Sequence, residues 1–374
     1  MELNKHYPAD QEAGRRSLLL GRARKGCPDC RRPLRDIDRY NRVFKTALLD
    51  ELTRRFVARS TSEYAELVQQ LQVMESGLEQ SRQELVQKLD GVDPDTGRKI
   101  LATHKLTGKN LQRQIKKFID SVNKTEQPLA KVNDLYASAV AKLRDGQSDG
   151  GEMGQSLNFD QSLIQTGLKY RGDCLDAKAK WVMLWDWYTI SIDEHVDLSL
   201  RKRLQDTIAT EVQPATVLTD ALRKDCRRAH LYIYAVEASV YFALFSVLGF
   251  ENGKAMGRVV DAAAEEETRK KAKKILADCD ARCRRLQGTL GRLSSVVEDA
   301  RRMVESGLFH HRVTSDAENR FITTTAILFR GAGDWYYCVN GHPFIVRGDG
   351  LAVVEARCPD CNEPVGGRDG ARPS

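Results

Sequence analysis

Four residues near the end of the 374-residue chain have the types and spacing that hold a metal: Cys338-x3-His342, then, after fifteen residues, Cys358-x2-Cys361. Thiolate and imidazole are the donors of tetrahedral zinc, and two close pairs joined by a short insert bring two donors to each side of one ion. Gly341 and Pro359 lie inside the pairs, where a tight turn is needed. The insert, Pro343 to Val354, is two short apolar runs about Gly348-Asp349-Gly350, the pattern of a β-hairpin. A site closed by three thiolates and one imidazole leaves no position open for water. The expectation is therefore one structural Zn2+ and no metal-centred hydrolysis.

A second Cys-Pro-Asp-Cys stands at Cys27–Cys30, and no further ligand pair follows it at the usual distance; upstream there is only His6. On its own it is an incomplete second site. Arg31, Arg32, Arg35 and Arg39 follow this knuckle. Clustered arginines there fit either contact with an RNA phosphate backbone or a solvated linker. Cys174, Cys226, Cys279 and Cys283 sit in helical patterns and are expected to pack in the core. Cys279 and Cys283 are four residues apart but have no histidine on their face, and His310-His311 diverge too far on a helix to chelate.

Enzyme signatures are missing. Thr107-Gly108-Lys109-Asn110 lacks the glycine loop and trailing hydroxyl of a phosphate-binding loop, and no nucleophile elbow or His-Glu-x-x-His occurs. A net charge of +7 with 30% charged and 41% hydrophobic residues permits a folded core and an acidic or nucleic-acid partner without demanding either. The first fourteen residues are polar, unlike a signal peptide. Leu231–Phe250 is twenty residues and almost wholly apolar, with Glu237 near its middle. A charge at that depth costs about 2.5–3.5 kcal/mol on insertion, so the segment reads as a core helix and not a membrane span. Reduced thiols and zinc together suit a cytoplasmic setting, with the nucleus as the alternative.

What must position the ligands is mainly α: an extended, coiled-coil-like helical bundle carrying a small zinc-bound β-hairpin at its C-terminus. Residues 1–41 read as a basic tail with the half knuckle, 42–144 as a helical or coiled-coil region and 145–157 as a linker. Residues 158–329 read as a helical domain, 330–367 as the finger and 368–374 as a disordered tail. Phe44, Leu48, Leu52 and Phe56 form one stripe. Ser60-Thr61-Ser62-Glu63 has the form of a capping box opening a second helix. There Tyr64, Leu67, Leu71, Met74, Leu78, Ser81 and Leu85 make a heptad seam, suited more to intramolecular packing than to dimerisation. A turn is expected at Asp90–Gly97 and a helix boundary at Pro214. Trp181, Leu184 and Trp185 share a face with Trp187 and Tyr188 beside them, and are expected in the core. A charged helix is expected from Lys254 towards Leu308, kinked near Gly288 and Gly291, followed by a short helix at 315–329.

The C-terminal pattern Gly333-x-Trp335-Tyr336-x-Cys338-x-Asn340-Gly341-His342-Pro343-Phe344, with Arg357-Cys358-Pro359-x-Cys361 and Pro364-Val365-Gly366-Gly367, resembles an RZ-type zinc finger. That finger occurs in mysterin, a giant ubiquitin ligase, and at the end of large helicases with NF-X-type zinc fingers. The second group is the closer in pattern. Cys27-Pro28-x-Cys30-Arg31-x-Pro33-Leu34-Arg35-x-Ile37-x-Arg39-Tyr40-x-Arg42, Ala47–Glu51 and the segment from Val313 to Gly331 are similar to its members. The resemblance implies the C-terminal portion of such a protein, with bound zinc, a protein partner, RNA-linked or immune roles and, in some members, the ubiquitin machinery. Where the family's hairpin turn commonly carries a cysteine, this chain has Asp349. A carboxylate is not an equivalent nucleophile for thioester exchange.

Overall fold

The computed structural model describes residues 41–123, 163–258, 261–307, 309, 334–340, 343–346, 356–358, 361–365 and 372–373. The Cys27/Cys30 knuckle with Arg31, Arg32, Arg35 and Arg39, the linker, His310-His311, the 315–329 segment, His342 and Asp349 lie outside them. The chain divides into two units, 1–58 with 126–150 and 59–125 with 151–374. Only the opening of the first helix is described in the former.

Helix α1 runs unbroken from Asn41 to Leu89. The expected boundary at Ser60–Glu63 is therefore absent. Ser60, Thr61 and Ser62 are buried instead, and the Ser62 hydroxyl donates to Glu66 Oε1 at 3.4 Å within the helix. A hydroxyl that bonds one turn along is compatible with a helix interior as well as with a cap. Tyr64, Leu67, Leu71, Leu78 and Leu85 of the heptad seam are buried within the chain, Met74 is half-buried and Ser81 is exposed; Tyr64 meets Phe118 with ring centroids 6.2 Å apart. The turn expected after it is present. Asp93 accepts from the backbone N–H groups of Asp95 and Thr96 at 3.0 Å and starts α2, Pro94–Asn123. Proline suits the first helical position because its missing N–H has no intrahelical partner there.

Helix α3 (Leu163–Ile192) packs on α2, α4 (Leu198–Arg228) and α5 (Tyr232–Ala255). Gly172 lets α2 and α3 approach closely, since a Cβ there would stand 2.6 Å from Ile119 Cγ1 and 3.3 Å from the Phe118 ring. Gly172→Ala is expected to lower unfolding stability by about 1–3 kcal/mol, measured by denaturant titration. Asp173 lies beside it; burial, reinforced by Asp176 and opposed by Lys169, pushes its carboxyl up to about 6. Between about pH 4 and 6 the folded chain retains a proton that the unfolded chain has released, so stability is lost as pH rises through that window. Asp173→Asn should remove about 2 kcal/mol of that decline, read as the difference in unfolding free energy between pH 4 and pH 7.

Pro214 lies inside α4, not at its end. It faces solvent, where water can satisfy the carbonyl that the ring leaves unpaired, while Val212, Ala215, Thr219 and Leu222 are buried on the opposite side. Helix α5 is apolar all round, and 78% of its most apolar stretch is buried among α3, α4 and the later helices Ala262–Arg285 and Ser294–Ser306. It is long and apolar enough to cross a membrane by length and composition, and its burial is that of a core helix. The Trp cluster is core as expected: Trp181 is 0% exposed, edge-on to Phe245 and Phe309 at 5.8 and 5.6 Å.

The single charged helix expected from Lys254 is several elements. Helix α5 continues to Ala255, its last turn held by Asn252 Nδ2, which donates to the Gln205 carbonyl at 2.9 Å. Gly257 then takes φ +67° and Asp261 caps α6 (Ala262–Arg285) by accepting from the Ala263 N–H. A glycine in the left-handed region followed by an aspartate N-cap is a strong stop and restart. Helix α7 (Gln287–Leu290), a 3-10 turn (Gly291–Leu293) and α8 (Ser294–Ser306) follow, so the break expected near Gly288 is present. Arg269 of α6 joins Glu265, Glu251 and the Val304 carbonyl, tying α6 to α5 and to the end of α8.

Candidate metal centre

Two short antiparallel pairings frame the cysteines. Strand β1 (Asp334–Tyr337) pairs with β2 (Pro343–Val346), Tyr337 opposite Pro343, so Cys338 leaves β1 at the start of the connecting turn. Strand β3 (Ala356–Arg357) pairs with β4 (Pro364–Val365), and Cys358 and Cys361 lie on the loop between them. Pro343–Val346, expected as the first arm of a hairpin with Leu351–Val354, pairs with the preceding strand β1; Leu351–Val354 lies outside the described residues. Strand β5 (Arg372–Pro373) adds to the other edge of β1, so part of the expected disordered tail belongs to the finger.

Backbone bonds set the second knuckle. The Asn362 N–H donates to the Cys358 carbonyl at 2.9 Å, and the Cys358 N–H donates to the Glu363 carbonyl at 2.8 Å. Asn362 takes φ +62° to make this reversal; asparagine is among the few residues that enter the left-handed region readily. The result places three thiols together. Cys338, Cys358 and Cys361 are 5%, 0% and 3% exposed, with their sulfurs within 4.8 Å of one another.

The spacing fits the ion. A tetrahedral site with Zn–S bonds near 2.3 Å has S···S edges of about 3.8 Å, and Cys338 Sγ lies 3.7 Å from Cys361 Sγ. That separation is far too long for a disulfide, whose sulfurs stand about 2.05 Å apart. The donor set is soft, sulfur-rich and buried, as structural zinc requires, and Val365 closes it on the apolar side. Of the four expected ligands the structure brings together three; His342, the fourth, lies outside the described residues. The helical cysteines take no part. Cys174 donates to the Tyr234 carbonyl at 3.6 Å, and Cys279 and Cys283 are wholly buried in α6.

The cluster is seated on the helices. Tyr232, at the start of α5, packs against the cysteines and Val365, and its hydroxyl meets His230 Nδ1 at 3.0 Å. Thr289 of α7 donates from Oγ1 to Asn362 Oδ1 at 2.8 Å. Sequence reasoning missed both contacts. Asn362 carried a usable signal, an asparagine directly after a Cys-x2-Cys turn, but neither Tyr232 nor Thr289 stands out from its neighbours.

The RZ type zinc finger domain family matches residues 325–373. The chain therefore contains an RZ-type zinc finger, and finger and cysteine cluster together are consistent with a structural zinc. No curated protein and no solved structure matches the chain.

Proposed function

We propose that the chain is a non-enzymatic interaction module in which Cys338, His342, Cys358 and Cys361 hold one structural zinc and the finger, docked on the helical block, presents a surface to a protein partner. The observation that carries this reading is the buried three-cysteine cluster seated on Tyr232 and Thr289. A metal packed this way stabilises a surface and leaves no open coordination position for chemistry. The resemblance at Cys27–Arg42 and in the finger extends the proposal: the module is the C-terminal part of a cytoplasmic, RNA-linked or innate-immunity helicase-like protein with NF-X-type fingers, and Cys27/Cys30 are one half of such a finger. On this reading Arg31, Arg32, Arg35 and Arg39 are available to RNA phosphates.

A ubiquitin ligase component acting through the finger is the second reading. It is disfavoured by Asp349 at the family's cysteine position and by the state of the helical thiols. Burial pushes the Cys174 and Cys279 thiols up and Cys283 up to about 11, away from the thiolate that transfer needs. The deciding assay incubates the full chain with a ubiquitin-charged conjugating enzyme. No reductant-sensitive adduct is the expected result; an adduct abolished by one Cys→Ser change would establish the transferase reading instead. RNA contact is tested by fluorescence anisotropy over a salt series, where binding that is insensitive to salt and to neutralising Arg31 and Arg32 would remove it.

A further inference from the structure

A cleft of about 530 Å3 opens among α1, α2 and α3, lined by no residue of the finger. That is the size of a small-molecule site. Leu78, Ile100, Met183 and Trp187 make apolar wall, and His104, Lys105 and Asp186 bring charge into it. Asp186 is 3% exposed. Its Oδ2 accepts from His104 Nε2 at 2.7 Å, while Oδ1 has no hydrogen-bond partner among the described residues. The buried carboxylate is thus compensated by one imidazole, whose other nitrogen lies 3.5 Å from Ser81 Oγ.

Lys105 is the group left over. Its ammonium stands 4.6 Å from the centroid of the Trp187 ring, with no carboxylate in ion-pair range among the described residues. Burial, together with the positive charges of Lys109 and Arg203, brings its pKa down to about 8. A cation held on an aromatic face against like charges is stabilised by an incoming anion, and the apolar wall selects one with a hydrophobic body.

We propose that this cleft binds a small organic carboxylate with a flat apolar body, the carboxylate pairing with Lys105 and the body lying against Trp187, Leu78 and Met183. The other ionisable groups lining the cleft are Glu84 of α1, which accepts from Gln80 at 3.1 Å, Lys88, which adds a second cation, and the hydrogen-bonded pair His104 and Asp186. Binding raises the Lys105 pKa, so affinity is level up to about pH 8 and falls above it as the free ammonium loses its proton.

The test titrates 2-naphthoate into the full chain by calorimetry, with 2-naphthalenemethanol as the uncharged analogue. One saturable site is expected, weaker by about tenfold or more for the alcohol, for the acid above pH 9 and for Lys105→Met, which keeps the aliphatic stem. A second variant guards against misfolding. A Cβ at Gly77, on the cleft wall in α1, meets nothing within 4 Å. Gly77→Phe should fill the cleft and abolish binding while leaving the unfolding midpoint unchanged or raised, since glycine is a poor helix residue. No saturable binding up to about 5 mM, equal affinity for acid and alcohol, or binding that survives Gly77→Phe would each overturn the proposal.

Discussion

Cys358→Ser is expected to release the zinc, taking its content from one per chain to near zero by elemental analysis. Serine offers a hard hydroxyl that stays protonated at neutral pH, and Cys358 is fully buried. The consequence is structural. Strands of four residues and two residues are too short to persist unaided, and structural zinc contributes an apparent ~10–16 kcal/mol in small fingers. Amide exchange across 334–346 and 356–365 should therefore lose its protection in the variant. Chelation of the native chain should do the same. Full zinc retention in Cys358→Ser would mean that the three clustered thiols are not the ligand set.

How much of this was legible depended on whether the signal was local. The ligand pairs were, because chelation requires close spacing on tight turns and that spacing is written in consecutive residues. Helix α5 was legible too: a run apolar on every side can only be buried, and Glu237 argued against lipid as the solvent. Helix boundaries were legible where turn-forming residues cluster, as at Asp90–Gly97, whereas the stop at Gly257 and the restart at Asp261, each a lone residue in a charged run, were missed. Nor were boundaries legible where one residue type serves two roles. Ser62 bonds within α1 as readily as it would in a cap, and Pro214 is tolerated in α4 because it faces water.

The contacts that make the finger part of its unit were illegible for another reason. Thr289 and Asn362 lie 73 residues apart, and nothing in either neighbourhood refers to the other. The cleft is similar: Ser81, His104 and Asp186 come from three helices whose packing depends on Gly108 and Gly172 admitting Met183 and Ile119 at close range. Sequence periodicity identifies which face of a helix is buried, not which neighbour covers it.

Trp181→Ala is the second large effect and separates the helical core from the finger. Removing a fully buried indole costs about 3–5 kcal/mol, because the lost burial is compounded by a cavity between Phe245 and Phe309 that packed helices cannot fill. A fall of roughly 10 °C in thermal midpoint is expected for a unit of this size. Trp181→Phe should cost much less. It keeps an aromatic edge against both rings and removes an indole N–H that has no hydrogen-bond partner among the described residues, a group that is itself destabilising when buried by about 1–3 kcal/mol. Zinc content should stay at one per chain in both Trp181 variants, since no helical residue belongs to the ligand set and Tyr232 and Thr289 hold the finger from outside the metal. Cys358→Ser should show the converse, zinc lost and the core transition within about 1 kcal/mol of native, because among the described residues the finger meets the helices through the Tyr232 packing and the Thr289–Asn362 hydrogen bond. Loss of zinc on Trp181→Ala under native conditions would instead mean that the helical core and the finger fold as a single cooperative structure.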